Sequence, residues 1–408
     1  MILKNTLSLL SIFIMYTSMP YITHALFPGY HFVVSGGLTV ALFIMLIPYF
    51  NLDNRDLTWI MLWVIYVIAL FILAFIQSPV ELEELRRPFG VVFKFIFLIS
   101  TCIILKNGYN FYIKSIYFIN YIIIGLSVIL FTILAIGVDI EPIPFMVRTR
   151  PYLFYYIGLI CKNVHFRIGD ISVIRICGLA NEPGALALII TWLLVLNEFT
   201  FKSTITRVFL VISGFLTLSM AFIISLFFMV IYWFVISKNK VKQICILVLT
   251  FLIVIIAFQN FSSPAIKSVI NDRLLARFQY NPTANSFSGD NRNMLQDFKT
   301  DIVNENALFG LSKKKFANDN TIVKTSGVGF LLRNGIFGYV FFYLPFLFLC
   351  YKNIGSKKII LLFMLGLNFL QRPQIENMSP MVFLSLLYYS QYYFIQITNK
   401  HKSLENKI

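Results

Sequence analysis

The sequence predicts an all-α polytopic membrane protein. It is read as a single membrane domain over residues 1–408, with about twelve transmembrane helices and a large external loop between helices 9 and 10. Three observations predict this. The chain is 58% hydrophobic and only 13% charged, where a soluble domain carries about 25% charged residues. Apolar runs of spanning length recur from end to end. Lysine and arginine alternate between the segments that separate those runs.

The runs fall near 5–22, 31–50, 57–76, 89–105, 115–138, 180–197, 204–218, 220–237, 243–260, 328–350, 357–370 and 380–397. The opening M-I-L-K-N-T-L-S-L-L looks like a signal peptide. It stays apolar to about Ile22 with no A-x-A site behind it, so it is read as the first span. The seventh and eighth runs are short and meet around Ser219. The eleventh is short enough to be tilted or re-entrant.

Orientation follows from the basic residues. With the N-terminus in the cytoplasm, the inner segments carry Lys4, Arg55, Lys106, Lys114, Lys202, Arg207, Lys238, Lys240, Lys242, Lys352, Lys357, Lys358, Lys400, Lys402 and Lys407. The short outer loops carry only Arg86, Arg87 and Arg372. Both termini are therefore expected in the cytoplasm, in a multi-pass protein of the cytoplasmic (inner) membrane. The net charge of +16 is a topology signal on this reading, and no nucleic-acid partner is expected.

Two outer segments are long, 139–179 and 261–327. The second holds two amphipathic candidates. In one, 264–278, Ile266, Val269, Ile270 and Leu274 recur at helical spacing, and in the other, 290–303, Met294, Leu295, Phe298 and Ile302 do so. Leu308-Phe309-Gly310 is expected to close the second helix. Such helices would lie on a membrane surface or cover a cavity.

The inner cations are almost all lysine. The outer segments instead carry Arg86, Arg87, Arg148, Arg150, Arg167, Arg175, Arg273, Arg277, Arg292 and Arg372, and Arg333 lies just inside the tenth run. Lysine suffices for topology, whereas the planar guanidinium binds phosphate oxygens in pairs. An arginine-rich outer face points to a phosphate or diphosphate ligand.

The stretch R-I-C-G-L-A-N-E-P-G-A-L-A-L, 175–188, concentrates that argument. Asn181 can cap a helix, with Glu182 and Pro183 in its first turn. Glu182 would then lie just inside the apolar layer, where an acidic side chain is costly and marks a functional candidate. A helix N-terminus attracts anions, and Arg175 is one short loop away. The bland alternative is that both residues only secure the helix start. Arg333 follows Ser326, Gly327 and Gly329, which let a backbone approach a ligand closely. It faces a wet cavity or snorkels outward. Arg273 and Arg277 share a helix face. They, like Arg292, are either ligand contacts or part of a solvated face. The cysteines at 102, 161, 177, 245 and 350 show no framework spacing and are read as free, and the four histidines show no metal-ligand spacing. There is no P-loop, no dinucleotide fingerprint and no HExxH.

These residues resemble bacterial O-antigen polymerases of the Wzy type and the related O-antigen ligase superfamily. The resemblance rests on the predicted spans, the large outer loop before the last three, and the R-x-x-G-x-x-x-E-P pattern of Arg175, Gly178, Glu182 and Pro183. Arg167 and Gly178 match an arginine followed eleven residues later by glycine. The L-F-G of 308–310, Asn320, the G-x-x-G of Gly335 and Gly338, and L-T-L-S at 216–219 also look like the family. The large loop has no second copy of the arginine–glycine spacing, and Met220 stands where ligases often place an arginine.

The resemblance implies a lipid-dependent, metal-independent membrane glycosyltransferase without a cofactor. It would join oligosaccharide repeat units carried on undecaprenyl diphosphate into an O-antigen or capsule-type polysaccharide, on the outer side of the cytoplasmic membrane. A chain-length regulator and a flippase would be its partners. Arg175 and Glu182 would be catalytic. Arg167, Arg273, Arg277, Arg292, Asn320 and Arg333 would bind substrate. Glu182 is either the base for the acceptor hydroxyl or the group that orients an arginine. Ligase relatives use a histidine in the large loop, and this chain has none between 166 and 400. A lipid-linked oligosaccharide flippase and an O-antigen ligase are the alternative readings.

Overall fold

Long apolar stretches with few charges leave the backbone little choice but to satisfy its own hydrogen bonds in helices, and the computed structural model of the chain is dominated by them. It describes residues 2–18, 31–77, 82–135, 138, 140–141, 143–147, 150–154, 160–162, 166–168, 171–173, 175–180, 182–237, 280–281, 286–287, 307–312, 327–371 and 377–405. In chain order come α1 (Ile2–Tyr16), α2 (His31–Leu46), a 3-10 turn (Ile47–Tyr49), α3 (Asn54–Gln77) and α4 (Leu82–Ala135). After the segment 143–173 follow α5 (Pro183–Phe199), α6 (Thr204–Leu216) and α7 (Met220–Ile236). The last helices are α8 (Gly327–Lys352), α9 (Ile359–Gln371) and α10 (Met378–Glu405). The predicted span 243–260 and both amphipathic candidates lie outside the described residues.

Three stretches among the described residues are long and apolar enough to cross a membrane: Asn54–Gln77, Arg87–Leu134 and Gly329–Lys352. The other apolar helices are shorter, at 10–17 residues. Large apolar side chains stand on the outer surfaces of long and short helices alike, with Ile44 58%, Phe75 55% and Phe227 61% exposed. An apolar exterior of this kind suits a hydrocarbon environment rather than water.

Two predicted runs, 89–105 and 115–138, form one helical path instead of two helices and a loop. The path is broken only at Gly108 (φ −155°, ψ 34°). Its contacts show that it crosses the bundle and returns. Lys94 reaches Asn377 at the head of α10, Lys106 reaches Asp56 at the head of α3, and Ile123 lies against Gly178 just before α5. One end of the bundle therefore gathers Asp56, Lys106, Lys202 and Lys357. The opposite end gathers Gln77, Arg87, Glu182 and Asn377. The first is the lysine-rich end of the bundle.

The core centres on α5, where every residue from Ala185 to Phe199 is buried. A helix apolar all round belongs in a protein interior, and α5 is surrounded by α6, α7, α9 and α10. Trp192 packs at 5.2 Å from Phe383 of α10 and 6.1 Å from Phe369 of α9.

The all-α expectation missed the content of the first long outer segment. There, β1 (Ile143–Val147), β2 (Arg150–Phe154) and β3 (Ile160–Lys162) form an antiparallel sheet in the order β1-β2-β3. Strands β4 (Phe166–Ile168) and β5 (Ile171–Val173) form a hairpin with Ile168 opposite Ile171. A further short pair joins β6 (Tyr280–Asn281) to β7 (Ser286–Phe287).

Candidate functional site

Residues 175–180 form a tight turn ahead of α5. Gly178 has φ +56°, a conformation that favours glycine, and a Cβ there would come within 3.1 Å of Ile123 and 3.5 Å of Leu186. The Ala180 N–H closes the turn on the carbonyl of Cys177 at 3.0 Å. The helix then begins one residue later than the sequence suggested. Glu182 is itself the N-cap, in extended conformation (φ −163°, ψ 157°), with Pro183 at the first helical position. Asn181, the expected cap, lies outside the described residues. The Glu182 carboxylate makes no capping hydrogen bond, while its backbone carbonyl accepts from Ala185 and Leu186. Proline needs no acceptor at that position, so the helix starts without engaging the carboxylate as a cap.

Arg175 has a definite job. Its Nε–H donates to the carbonyl of Thr217 at 2.7 Å and its Nη2–H to the carbonyl of Leu218 at 3.0 Å. The N–H of Ile176 donates to the carbonyl of Leu216 at 3.3 Å. All three acceptors belong to the break between α6 and α7, where Leu218 adopts φ +47°, uncommon for a residue with a side chain. Non-helical backbone within an apolar bundle must have its polar groups satisfied by protein. The arginine loop does this, and its cation sits at the C-terminal, negative end of α6.

A second break lies in α8. Gly335 has φ +62° and ψ −178°, and the segment 307–311 packs against it. The N–H groups of Ile336 and Phe337 donate to the carbonyls of Ala307 and Leu308, and the N–H of Leu311 donates to Leu332. Gly310 (φ +72°) faces Gly335 so closely that a Cβ on Gly310 would lie 2.5 Å from the Gly335 nitrogen. Arg333 is held by groups of the bundle itself. Its Nη1 donates to Gln77 Oε1 at 2.7 Å and to the carbonyl of Leu311. The Gln77 amide in turn donates to the carbonyls of Phe309 and Arg333. On the next helical position Asn334 accepts from Arg87, whose guanidinium lies 5.4 Å from the Phe330 ring.

The predicted site residues thus separate. Arg175 and Glu182 flank one turn beside α5, α6 and α7, and Arg333 belongs to the α3–α8 side. Arg167 lies in strand β4, opposite Ser172. Arg273, Arg277, Arg292 and Asn320 lie outside the described residues.

Sequence reasoning passed over three polar clusters. Arg87, Asn334 and Gln77 join Arg333 at the α8 break. At the lysine-rich end, Glu198 is fully buried and paired by Arg207 through Nε (2.6 Å) and Nη2 (2.9 Å), with the Trp233 indole N–H donating at 3.1 Å. Asp56, also buried, accepts from Lys106 Nζ at 3.0 Å, from the Asp53 N–H at 2.9 Å and from the Tyr389 hydroxyl. Asp53, Arg55, Tyr109, Tyr388 and Tyr392 complete a cleft of about 210 Å³ there. The signal was present, since an acidic residue inside an apolar run is expensive, but Arg55, Lys106 and Arg207 were read only as topology charges. Asp53 keeps its carboxyl below the ordinary range. Burial raises it, but N–H groups of Asp56 and Arg55 and the charges of Lys106 and Arg55 outweigh that.

Comparison with protein-family models, with curated proteins and with solved structures finds no match to this chain.

Proposed function

We propose that the chain is a polymerase that joins undecaprenyl-diphosphate-linked oligosaccharide repeat units on the outer face of the cytoplasmic membrane, with both termini in the cytoplasm and the Glu182 end outward. The observation that carries the reading is the 175–182 turn. It sets a guanidinium against the α6–α7 break and, seven residues on, a carboxylate at the head of α5 that is not engaged as a helix cap. A glycosyl transfer from a lipid diphosphate needs a cation where the leaving group gains charge and a base or orienter near the acceptor hydroxyl. Arg175 and Glu182 are of those two chemical kinds. The acceptor hydroxyl would be deprotonated as it attacks the anomeric carbon, and the carbon–oxygen bond to undecaprenyl diphosphate would break.

The broken helix α8 favours a second reading, because discontinuous helices form the binding sites of many transporters. In such sites the half-helix N–H groups are left for the substrate. Here Ile336 and Phe337 donate to Ala307 and Leu308, so the break is filled by the chain itself and the flippase reading takes second place. An O-antigen ligase has no separate structural support.

Gene deletion distinguishes the three. Surface glycan of single repeat units is expected for a polymerase, loss of all export for a flippase, and intact unattached polymer for a ligase. Glu182→Gln should abolish polymer while the protein still reaches the membrane. Wild-type polymer from that variant would remove Glu182 from the mechanism. Retained binding of lipid-linked donor with lost turnover would favour the base over the orienter.

A further inference from the structure

At the lysine-rich end, Lys106 pairs with Asp56, and Lys357 donates to the carbonyl of Val235 at the C-terminal end of α7 at 3.0 Å. Lys202 and Lys358 differ. Among the described residues, neither ammonium group has a hydrogen-bond acceptor or a carboxylate partner. Yet the two stand close enough for the charge of Lys202 to act on Lys358, as does that of Glu198. Glu198 is already engaged. Its Oε1 accepts from Arg207 Nε and the Trp233 indole, and its Oε2 accepts from Arg207 Nη2. Arg207 and Glu198 neutralise each other, so this corner keeps a surplus of two positive charges.

The chain holds both cations where they cost free energy. Lys202 has φ +52°, a region where a residue with a side chain is strained. Asn197 builds that turn. Its carbonyl accepts from the Lys202 N–H at 2.7 Å, and its side chain bridges the N–H and the carbonyl of Ser203, each at 3.1 Å. Lys358 is half-buried, with its Nζ 4.3 Å from the centre of the Phe199 ring at the end of α5. A lysine that only sets topology needs neither feature, because it can extend freely into water.

The surroundings are apolar. Ile205, three residues after Lys202, is 84% exposed, and Ile354, four residues before Lys358, is 72% exposed. These are the two most exposed large apolar side chains among the described residues. Phe201, beside Lys202, is exposed as well. Exposed apolar surface of this kind marks contact with a partner or a membrane. Cations at the edge of an apolar surface match the level where a lipid headgroup joins its acyl chains.

We propose that Lys202 and Lys358 hold the phosphate of an anionic phospholipid at the lysine-rich end, with its acyl chains along Ile205 and Ile354. One phosphate accepts from both ammonium groups and offsets their repulsion. A zwitterionic lipid brings its own cation into a corner that already has two, so the headgroup's net charge decides the preference. This corner lies at the other end of the bundle from Glu182, and the proposal is independent of the polymerase reading.

The test titrates the full chain in detergent micelles with phosphatidylglycerol, with phosphatidylcholine of the same acyl chains and with inorganic phosphate. Bound lipid is read by native mass spectrometry and stability by thermal unfolding. Wild type should bind phosphatidylglycerol more tightly than phosphatidylcholine and gain no stability from phosphate. Lys202→Gln and Lys358→Gln should each weaken phosphatidylglycerol binding about fivefold (about 1 kcal/mol), and Lys202→Arg should retain it. Lys114→Gln, which removes an exposed lysine of α4, should change nothing. Lys202→Gly separates a ligand role from a structural one. Glycine relieves the positive φ, so stability without lipid should hold or rise while the preference for phosphatidylglycerol falls. A less stable lipid-free Lys202→Gly would make Lys202 a structural residue and overturn the proposal. So would a wild type without lipid preference, or an unchanged preference when both lysines are replaced. Equal stabilisation by inorganic phosphate would overturn the lipid assignment.

Discussion

Replacing Arg175 with lysine tests what the guanidinium is for. The structure gives it two hydrogen bonds to consecutive carbonyls, Thr217 at 2.7 Å and Leu218 at 3.0 Å, through two different nitrogens. A lysine ammonium keeps the charge but has one nitrogen, which cannot occupy both positions. A hydrogen bond to a charged group is worth about 1.5–3 kcal/mol, so Arg175→Lys should lose about that much. Arg175→Ala should lose roughly twice as much by the same reckoning, plus ~0.3–1 kcal/mol for the missing cation at the end of α6. The assay is reversible unfolding in mixed micelles, read beside polymer length in cells. If Arg175 served only as a phosphate contact, both variants would be as stable as wild type and would fail only in activity. Wild-type stability in Arg175→Ala refutes the brace. Wild-type stability together with full polymer length in Arg175→Lys refutes any need for the fork.

Gly335→Ala puts a Cβ 2.3 Å from the Leu308 carbonyl oxygen at a φ of +62°. The variant should accumulate poorly in membranes, and normal yield would show that segment 307–311 does not sit in the break. Glu198→Gln leaves the partly exposed Arg207 without its carboxylate and should cost about 1–3 kcal/mol. Pairing it with Arg207→Met should recover much of that, measured by the same micellar unfolding. Asp53 contributes to acid stability because its folded carboxyl titrates below its ordinary value of 3.8. That contribution is complete above the ordinary value and is lost as pH falls through the folded one. Asp53→Asn should therefore flatten the stability curve below about pH 4, and an unchanged slope there would contradict the assignment.

The helical segments were legible because lipid-facing and buried faces are both apolar, so runs of Leu, Ile and Phe mark them without ambiguity. The short α6–α7 pair around Ser219 could be read from length alone. The join of 89–105 to 115–138 could not, because Lys106, Asn107 and Gly108 look like a loop. In the structure the Asn107 side chain donates to the carbonyl of Ile103, and Lys106 is paired with Asp56, so both continue a helix. The strands of 143–173 were missed because Pro144 and Pro151 interrupt any alternation that would announce them. At the site, sequence picked out Arg175, Glu182 and Arg333 by their cost in an apolar run. It did not find their partners. Thr217, Leu218 and Leu311 take part through backbone carbonyls, which carry no sequence signature. Gln77 is 256 residues away in the chain from Arg333.

The two breaks explain more about the arginines than their abundance does. Each break puts a residue in the left-handed region, Leu218 in one and Gly335 in the other, and each strands carbonyls that a helix would have used. At the first break Arg175 donates to those carbonyls; at the second the carbonyl of Leu332 accepts from the Leu311 N–H and that of Arg333 from the Gln77 amide, while the Arg333 guanidinium binds Gln77 and the carbonyl of Leu311. Lysine could supply charge at either place. At Arg175 two different guanidinium nitrogens bridge carbonyls fixed on the backbone, which a single lysine nitrogen cannot do. The preference for arginine at such a break therefore has a source that needs no ligand, and abundance alone is weak support for a diphosphate site. The discriminating feature is what each break leaves over. At α8 the chain returns through Ala307 and Leu308 and takes the new helix's N–H groups. At α7 the loop arginine takes the carbonyls of α6 instead, and among the described residues no returning segment takes the N–H groups of Met220 and Ala221.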